Sequence, residues 1–184
     1  MHHIPNIISI LRIILVLPIA YLLLNEAWVQ ALTLIFIAGI SDALDGFLAR
    51  TFHWQSELGS ILDPIADKLL LVIIFVTLAY RDVIPDWLAF LVIARDVLIL
   101  GGAISYQWLT QDLKIEPLLS SKINTALQIV FVLALMYHLA ILQLPQTFML
   151  LLQALVVIMV MYSGFKYVIC WTSYYKKFRI KKTQ

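Results

Sequence analysis

The chain has 184 residues, about the size of one domain; 62% are apolar, 13% are charged and the net charge is only +2. That balance excludes an ordinary soluble globule and a strongly basic nucleic-acid binder, and it places the chain among polytopic membrane proteins. A single cysteine, Cys170, excludes an intrachain disulfide and any zinc-finger spacing.

Six apolar segments follow one another, at 7–24, 28–50, 58–80, 87–109, 119–142 and 145–170. Each reaches about the 20 residues that cross a bilayer core as a helix. Leu, Ile and Val without strict alternation favour helices over barrel strands, and lipid excludes an open sheet. The first segment reads as a retained helix rather than a cleaved signal. No Lys or Arg precedes it, Arg12 interrupts it and no small-residue cleavage site follows. Asn25-Glu26 ends it, Arg81-Asp82 and Pro85-Asp86 bracket the turn after the third segment, and Pro117 precedes the fifth. The expected class is therefore all-α, a polytopic membrane protein with six transmembrane helices in one domain over 1–184.

Basic residues orient these spans. An even number puts both termini on one side, which collects Arg50, Lys114, Lys122, Lys166 and the tail residues Lys176, Lys177, Arg179, Lys181 and Lys182. The other side has Arg81 alone, while Arg12, Lys68 and Arg95 fall within spans. The positive-inside rule makes both termini and the 50–58 connection cytoplasmic. Residues 171–184 form a basic cytoplasmic tail, a topology anchor that can also attract anionic headgroups. Trp171, Tyr174 and Tyr175 before it suit an interfacial belt.

Four carboxylates stand against this apolar background. Asp42 and Asp45 are three residues apart and Asp63 and Asp67 four apart, so each pair shares one helix face. An ionised carboxylate at membrane depth costs several kcal/mol at least, so a group of four demands cations. Two facing pairs would make an all-oxygen cage for hard divalent ions, Mg²⁺ or Mn²⁺; no His or Cys lies among these positions. Gly46 and Ala49 remove bulk beside the first pair, and Arg50 offers a guanidinium fork for phosphate. Gly59 is small at the opening of the next helix. Pro64 removes an N–H beside Asp63 and permits a kink. Polar glue between helices, or a cation pathway of a transporter, is the competing reading.

Residues 42–67 thus spell D-x2-D-G-x2-A-R-x8-G-x3-D-x3-D. Eight specified positions give a chance frequency on the order of 10⁻¹⁰ per start site. The pattern resembles the CDP-alcohol phosphatidyltransferase family, and the likeness runs from Ile4 to about Thr125. The resemblance implies six spans, a two-metal site on the four aspartates, and Asp67 placed to deprotonate the acceptor hydroxyl. It implies CDP contacts by Gly46, Ala49 and Arg50, CMP as a product, and a homodimer. The stretch Pro5-Asn6-x2-Ser9-x2-Arg12 resembles one that helps hold nucleotide and phosphate, which adds Asn6 and Arg12 as substrate-binding candidates along with Gly59.

The donor implied is CDP-diacylglycerol and the acceptor a glycerol-type alcohol, with membrane lipids as surroundings and no nucleic-acid partner. Leu58–Lys68 is similar to both phosphatidylglycerophosphate synthases, which use glycerol 3-phosphate, and CMP-forming cardiolipin synthases, which use phosphatidylglycerol. Ala94-Arg95-Asp96-Val97, Gly101-Gly102-Ala103 and the run Lys114–Thr125 resemble the cardiolipin group more closely. Arg95 and Lys122 are further substrate-binding candidates. Arg95 with Asp96 also reads as an intramembrane ion pair, and Lys122 as an ordinary residue of a cytosolic helix end. His53 and His138 read as a solvated loop residue and a residue remote from the cluster. A bacterial inner membrane is the expected location, with the site facing the cytoplasm.

Overall fold

The computed structural model describes residues 3–51, 57–110 and 119–182, with side chains over 11–41, 66, 68–102 and 119–172. Six helices make up the described chain: α1 (His3–Leu24), α2 (Trp28–Thr51), α3 (Glu57–Tyr80), α4 (Asp86–Thr110), α5 (Leu119–Ala140) and α6 (Gln146–Lys182). No strand occurs among the described residues. Helix ends fall where the turn residues put them, apart from α6, which runs well past the end of its apolar stretch at 170. From Phe165 onward no Gly or Pro interrupts it, and Lys and Arg are good helix formers. Loss of apolar character there does not end the helix.

The chain falls into two compact units, Met1–Ala89 with Val132–Leu144, and Phe90–Phe131 with Pro145–Gln184. In the first, α1 packs against both α2 and α3. Its buried seam is Arg12, Val16, Ile19 and Leu23, spaced to keep one face inward, while Leu17 and Tyr21 stand exposed. Helix α2 buries Ala31, Ile35 and Ala38, and small residues at such positions let helices approach closely in an apolar solvent.

In the second unit α6 buries Leu152, Val156, Val160, Ser163 and Tyr167. Its other face exposes Leu151, Leu155, Ile158, Phe165 and Ile169. Such a continuous apolar outer stripe is unfavourable in water and natural in lipid. Leu119–Ala140 and Gln146–Thr172 are long and apolar enough to cross a bilayer. Within the residues whose side chains are described, the apolar stretches Leu11–Leu24, Trp28–Ser41 and Lys68–Tyr80 are shorter.

Two helix ends share one capping geometry. After α1, Glu26 N–H donates to the Leu23 carbonyl and Ala27 N–H to the Leu22 carbonyl. After α3, Asp82 N–H donates to Ala79 and Val83 N–H to Leu78. This paired pattern satisfies the last carbonyls and requires a left-handed residue, supplied by Glu26 (φ 58°) and Asp82 (φ 56°) in place of the usual glycine. Glu26 also pairs with Arg81, tying the two turns together. The pair is exposed, so it contributes little beyond orientation.

The cap at Asp82 generates a stability test. Asp82→Val places a β-branched side chain in the left-handed region and should destabilise by about 1–2 kcal/mol, whereas Asp82→Gly should be neutral or stabilising. Thermal unfolding in detergent reads the difference; equal melting of the two variants would contradict the cap.

Candidate functional site

Helix α2 carries Asp42, Asp45, Gly46, Ala49 and Arg50 in its final turns, and α3 carries Gly59, Asp63 and Asp67 in its opening turns. Both pairs of aspartates therefore lie in regular helix, where spacings of three and four put each pair on one face. Asp45 lies six residues before the end of α2 at Thr51, and Asp63 six residues after the start of α3 at Glu57. At 1.5 Å per residue each is about 9 Å from the connection, and Asp42 and Asp67 are each about 14–15 Å from it. The two pairs thus sit at matching distances along their helices.

The side chains of Asn6, Asp42, Asp45, Gly46, Ala49, Arg50, Gly59, Asp63 and Asp67, and all of His53, lie outside the described residues. Their convergence is therefore a matter of register alone. Among the described residues, no group of three or more His, Cys, Asp or Glu gathers at one point. Arg12 is buried on the seam of α1, the helix that contacts both acid-bearing helices. Asn6 lies on the same helix, and Lys68 follows Asp67 half-buried. Lys122 is exposed.

Arg95 is described in full. Its side chain is buried, and Nη1 donates to Asp96 Oδ1 at 2.6 Å. Nη2 donates to Ser121 Oγ at 2.8 Å and to Ser163 Oγ at 2.6 Å. One guanidinium thus joins α4 to α5 and α6 within the second unit. Beside it Gly164 leaves 3.8 Å between where a Cβ would be and Arg95 Cγ, so the crossing has room for the arginine stem. Of the two sequence readings, this geometry favours the buried ion pair, whose two terminal nitrogens are partnered while Nε has no partner among the described residues.

Three features escaped the sequence reading. On α5, Ser120, Asn124 and Gln128 recur every four residues and are 5%, 0% and 0% exposed. Five of their polar atoms have no hydrogen-bond partner among the described residues: Ser120 Oγ, both amide atoms of Asn124 and both of Gln128. The four-residue recurrence in an apolar helix was the available signal. His138 Nδ1 accepts the Leu144 N–H at 2.8 Å, closing the turn before α6, so it has a structural task. The ring of Trp171 occupies the space that a Cβ on Gly102 would fill, so this tryptophan packs on α4.

Comparison with known proteins gives this arrangement a context. The family model for CDP-alcohol phosphatidyltransferase matches residues 2–172. The CMP-forming cardiolipin synthase of Rattus norvegicus is 37% identical over 147 residues, which is 71% of this chain and 49% of the relative. The chloroplastic CDP-diacylglycerol–glycerol-3-phosphate 3-phosphatidyltransferase 1 of Oryza sativa subsp. japonica is 34% identical over 149 residues, covering 72% and 45%. The CMP-forming cardiolipin synthase of Streptomyces coelicolor is 37% identical over 105 residues, covering 53% and 48%. The chain spans about half the length of these curated relatives.

Arg95 lies inside the matched span, and its burial makes a double-substitution test possible. Arg95→Leu strips the buried Asp96 carboxylate of this cation and should cost about 3–5 kcal/mol. Arg95→Leu with Asp96→Leu should recover most of that loss, because an apolar pair replaces an ion pair with little penalty. Unfolding in detergent measures both; an additive double variant would refute the pairing.

Proposed function

Because the chain belongs to the CDP-alcohol phosphatidyltransferase family, we propose that it builds phospholipid in a membrane by transferring a phosphatidyl group from CDP-diacylglycerol to a glycerol-type alcohol. The observation that carries this reading is the D-x2-D-G-x2-A-R-x8-G-x3-D-x3-D sequence, placed at matching distances on α2 and α3. The acceptor oxygen bonds to the phosphorus that bears diacylglycerol, the pyrophosphate P–O bond breaks and CMP leaves. Asp67 takes the acceptor's proton. Arg50 forks a phosphate, and Gly46 and Ala49 leave room for the nucleotide. Asn6, Arg12 and Gly59 line the donor side in this reading.

Four carboxylates on two helices form a hard, all-oxygen donor set, which fits two Mg²⁺ or Mn²⁺ ions held by Asp42, Asp45, Asp63 and Asp67. Bound there, the ions supply charge neutralisation for the phosphates of donor and product.

The preferred acceptor is phosphatidylglycerol, giving cardiolipin, as the names of the rat and Streptomyces relatives suggest. Glycerol 3-phosphate is the second reading, favoured by the rice relative and by a 36% identical glycerol-3-phosphate 3-phosphatidyltransferase of Aquifex aeolicus. Nothing in the comparisons speaks for a cation pathway. In this reading the chain is one domain and acts as a homodimer, with six spans, both termini and the basic tail in the cytoplasm, and its site on the cytoplasmic face. A bacterial inner membrane and a mitochondrial inner membrane offer it the same physics.

Purified protein, labelled CDP-diacylglycerol and each acceptor in turn make the assay. Asp67→Asn removes a ligand and a base together and should lower CMP release by about 10²-fold or more while leaving melting intact. Undiminished release by this variant would refute the role of Asp67. Thorough EDTA treatment should abolish release and added Mg²⁺ or Mn²⁺ restore it; activity that survives chelation would refute the metal assignment.

A further inference from the structure

We propose that the buried face of α5 formed by Ser120, Asn124 and Gln128 is a recognition strip for the hydroxyl groups of a polyol headgroup. It holds the uncharged diol end of the acceptor, away from the acceptor's phosphate. The proposal rests on the transferase reading above and deepens it by naming what engages the acceptor's hydroxyls.

The strip is about 12 Å long, two helical turns at 1.5 Å per residue. Asn124 and Gln128 are wholly buried, and neither amide has a hydrogen-bond partner among the described residues. Hydroxyls elsewhere in the helices solve the same problem locally. Thr33, Ser41, Thr77 and Thr172 each donate to the carbonyl four residues back, at 2.7–2.8 Å. The α5 amides do not. A buried amide left unpaired destabilises the fold, and native structures seldom retain one unless a ligand or water completes it.

The donor and acceptor inventory says which ligand fits. Asn and Gln each present an N–H₂ donor and a C=O acceptor, and Ser120 presents both in one hydroxyl. A hydroxyl group also donates and accepts, so a glycerol headgroup can engage both ends of each amide. A phosphate accepts only, so it could take the two N–H₂ donors but would leave Asn124 Oδ1 and Gln128 Oε1 unpaired. Charge nearby points the same way. Arg95, linked to Ser121 beside the strip, is matched by Asp96. Lys122 is exposed and lies about 200° round the helix from Ser120. No uncompensated cation on α5 therefore stands ready for a dianion at this face, among the described residues.

The test uses the full chain in detergent, with CMP release followed against phosphatidylglycerol concentration. Asn124→Leu and Gln128→Leu should each raise the acceptor KM about tenfold or more and leave the CDP-diacylglycerol KM within about twofold. Their melting temperatures should equal or exceed the parent's, because an unpaired amide has been replaced by an apolar group of similar size. An unchanged acceptor KM in variants that melt normally overturns the proposal and leaves the strip to water. A second readout needs no turnover. Phosphatidylglycerol micelles should raise the melting temperature of the parent chain more than micelles of phosphatidylethanol, which has the same charge and no headgroup hydroxyls. That difference should vanish in any variant that folds, and equal shifts in the parent chain refute the strip. Should the parent release no CMP with either acceptor, the transferase reading fails, while the melting comparison still decides the strip.

Discussion

Every polar group that this chain carries into apolar surroundings needs a partner, because neither lipid nor a packed helix interior solvates charge or dipoles. The described residues meet that requirement in graded ways. Hydroxyls turn back onto their own helices, the cheapest solution and one that commits no neighbour. Arg95 cannot do so, and it recruits Asp96, Ser121 and Ser163 from three helices. Its bonds then fix how those helices register within their unit, since a guanidinium fork tolerates little displacement. Glu26 and Arg81 sit at exposed turns, where their pairing matters for geometry far more than for energy.

The same requirement explains the aspartates. The four carboxylates on α2 and α3 outnumber the Lys and Arg residues of α1, α2 and α3, which are Arg12, Arg50 and Lys68. In the proposed reading dications would complement them, and substrates that carry phosphate would share those ions. A motif that is costly for the fold is retained when it serves chemistry, so its expense is evidence about function.

Much of this was legible in the sequence, and the reasons are physical. Helix ends followed from Asn25-Glu26, Arg81-Asp82 and Pro85-Asp86, because turn residues act locally and their effect needs no knowledge of the fold. The placement of Asp42, Asp45, Asp63 and Asp67 on helices followed from the apolar segments 28–50 and 58–80 that contain them. The extension of α6 to Lys182 was missed because hydropathy reports lipid contact, while backbone hydrogen bonding continues beyond it. The partners of Arg95 were half-read: Asp96 is adjacent, but Ser121 and Ser163 are 26 and 68 residues away and meet it only through packing. His138 was set aside for its distance from the acidic cluster, though its work is a turn that lies six residues on.

The α5 amides show why an unfilled requirement is more informative than a filled one. Arg95 has partners on both terminal nitrogens and lacks one at Nε among the described residues, so most of its donors are already spent on the fold. Asn124 and Gln128, in the same unit, have no partner on either amide atom among the described residues although both are wholly buried. Replacing either by leucine would ease folding, so their presence runs against stability, the pattern expected of groups whose partner arrives with the substrate. A site of that kind discriminates sharply. A molecule lacking the matching hydroxyl leaves the amides as poorly satisfied as before and gains nothing from displacing water. Recognition of this sort needs no charge, which in the proposed reading suits a glycerol headgroup whose phosphate lies at the opposite end from the reacting hydroxyl.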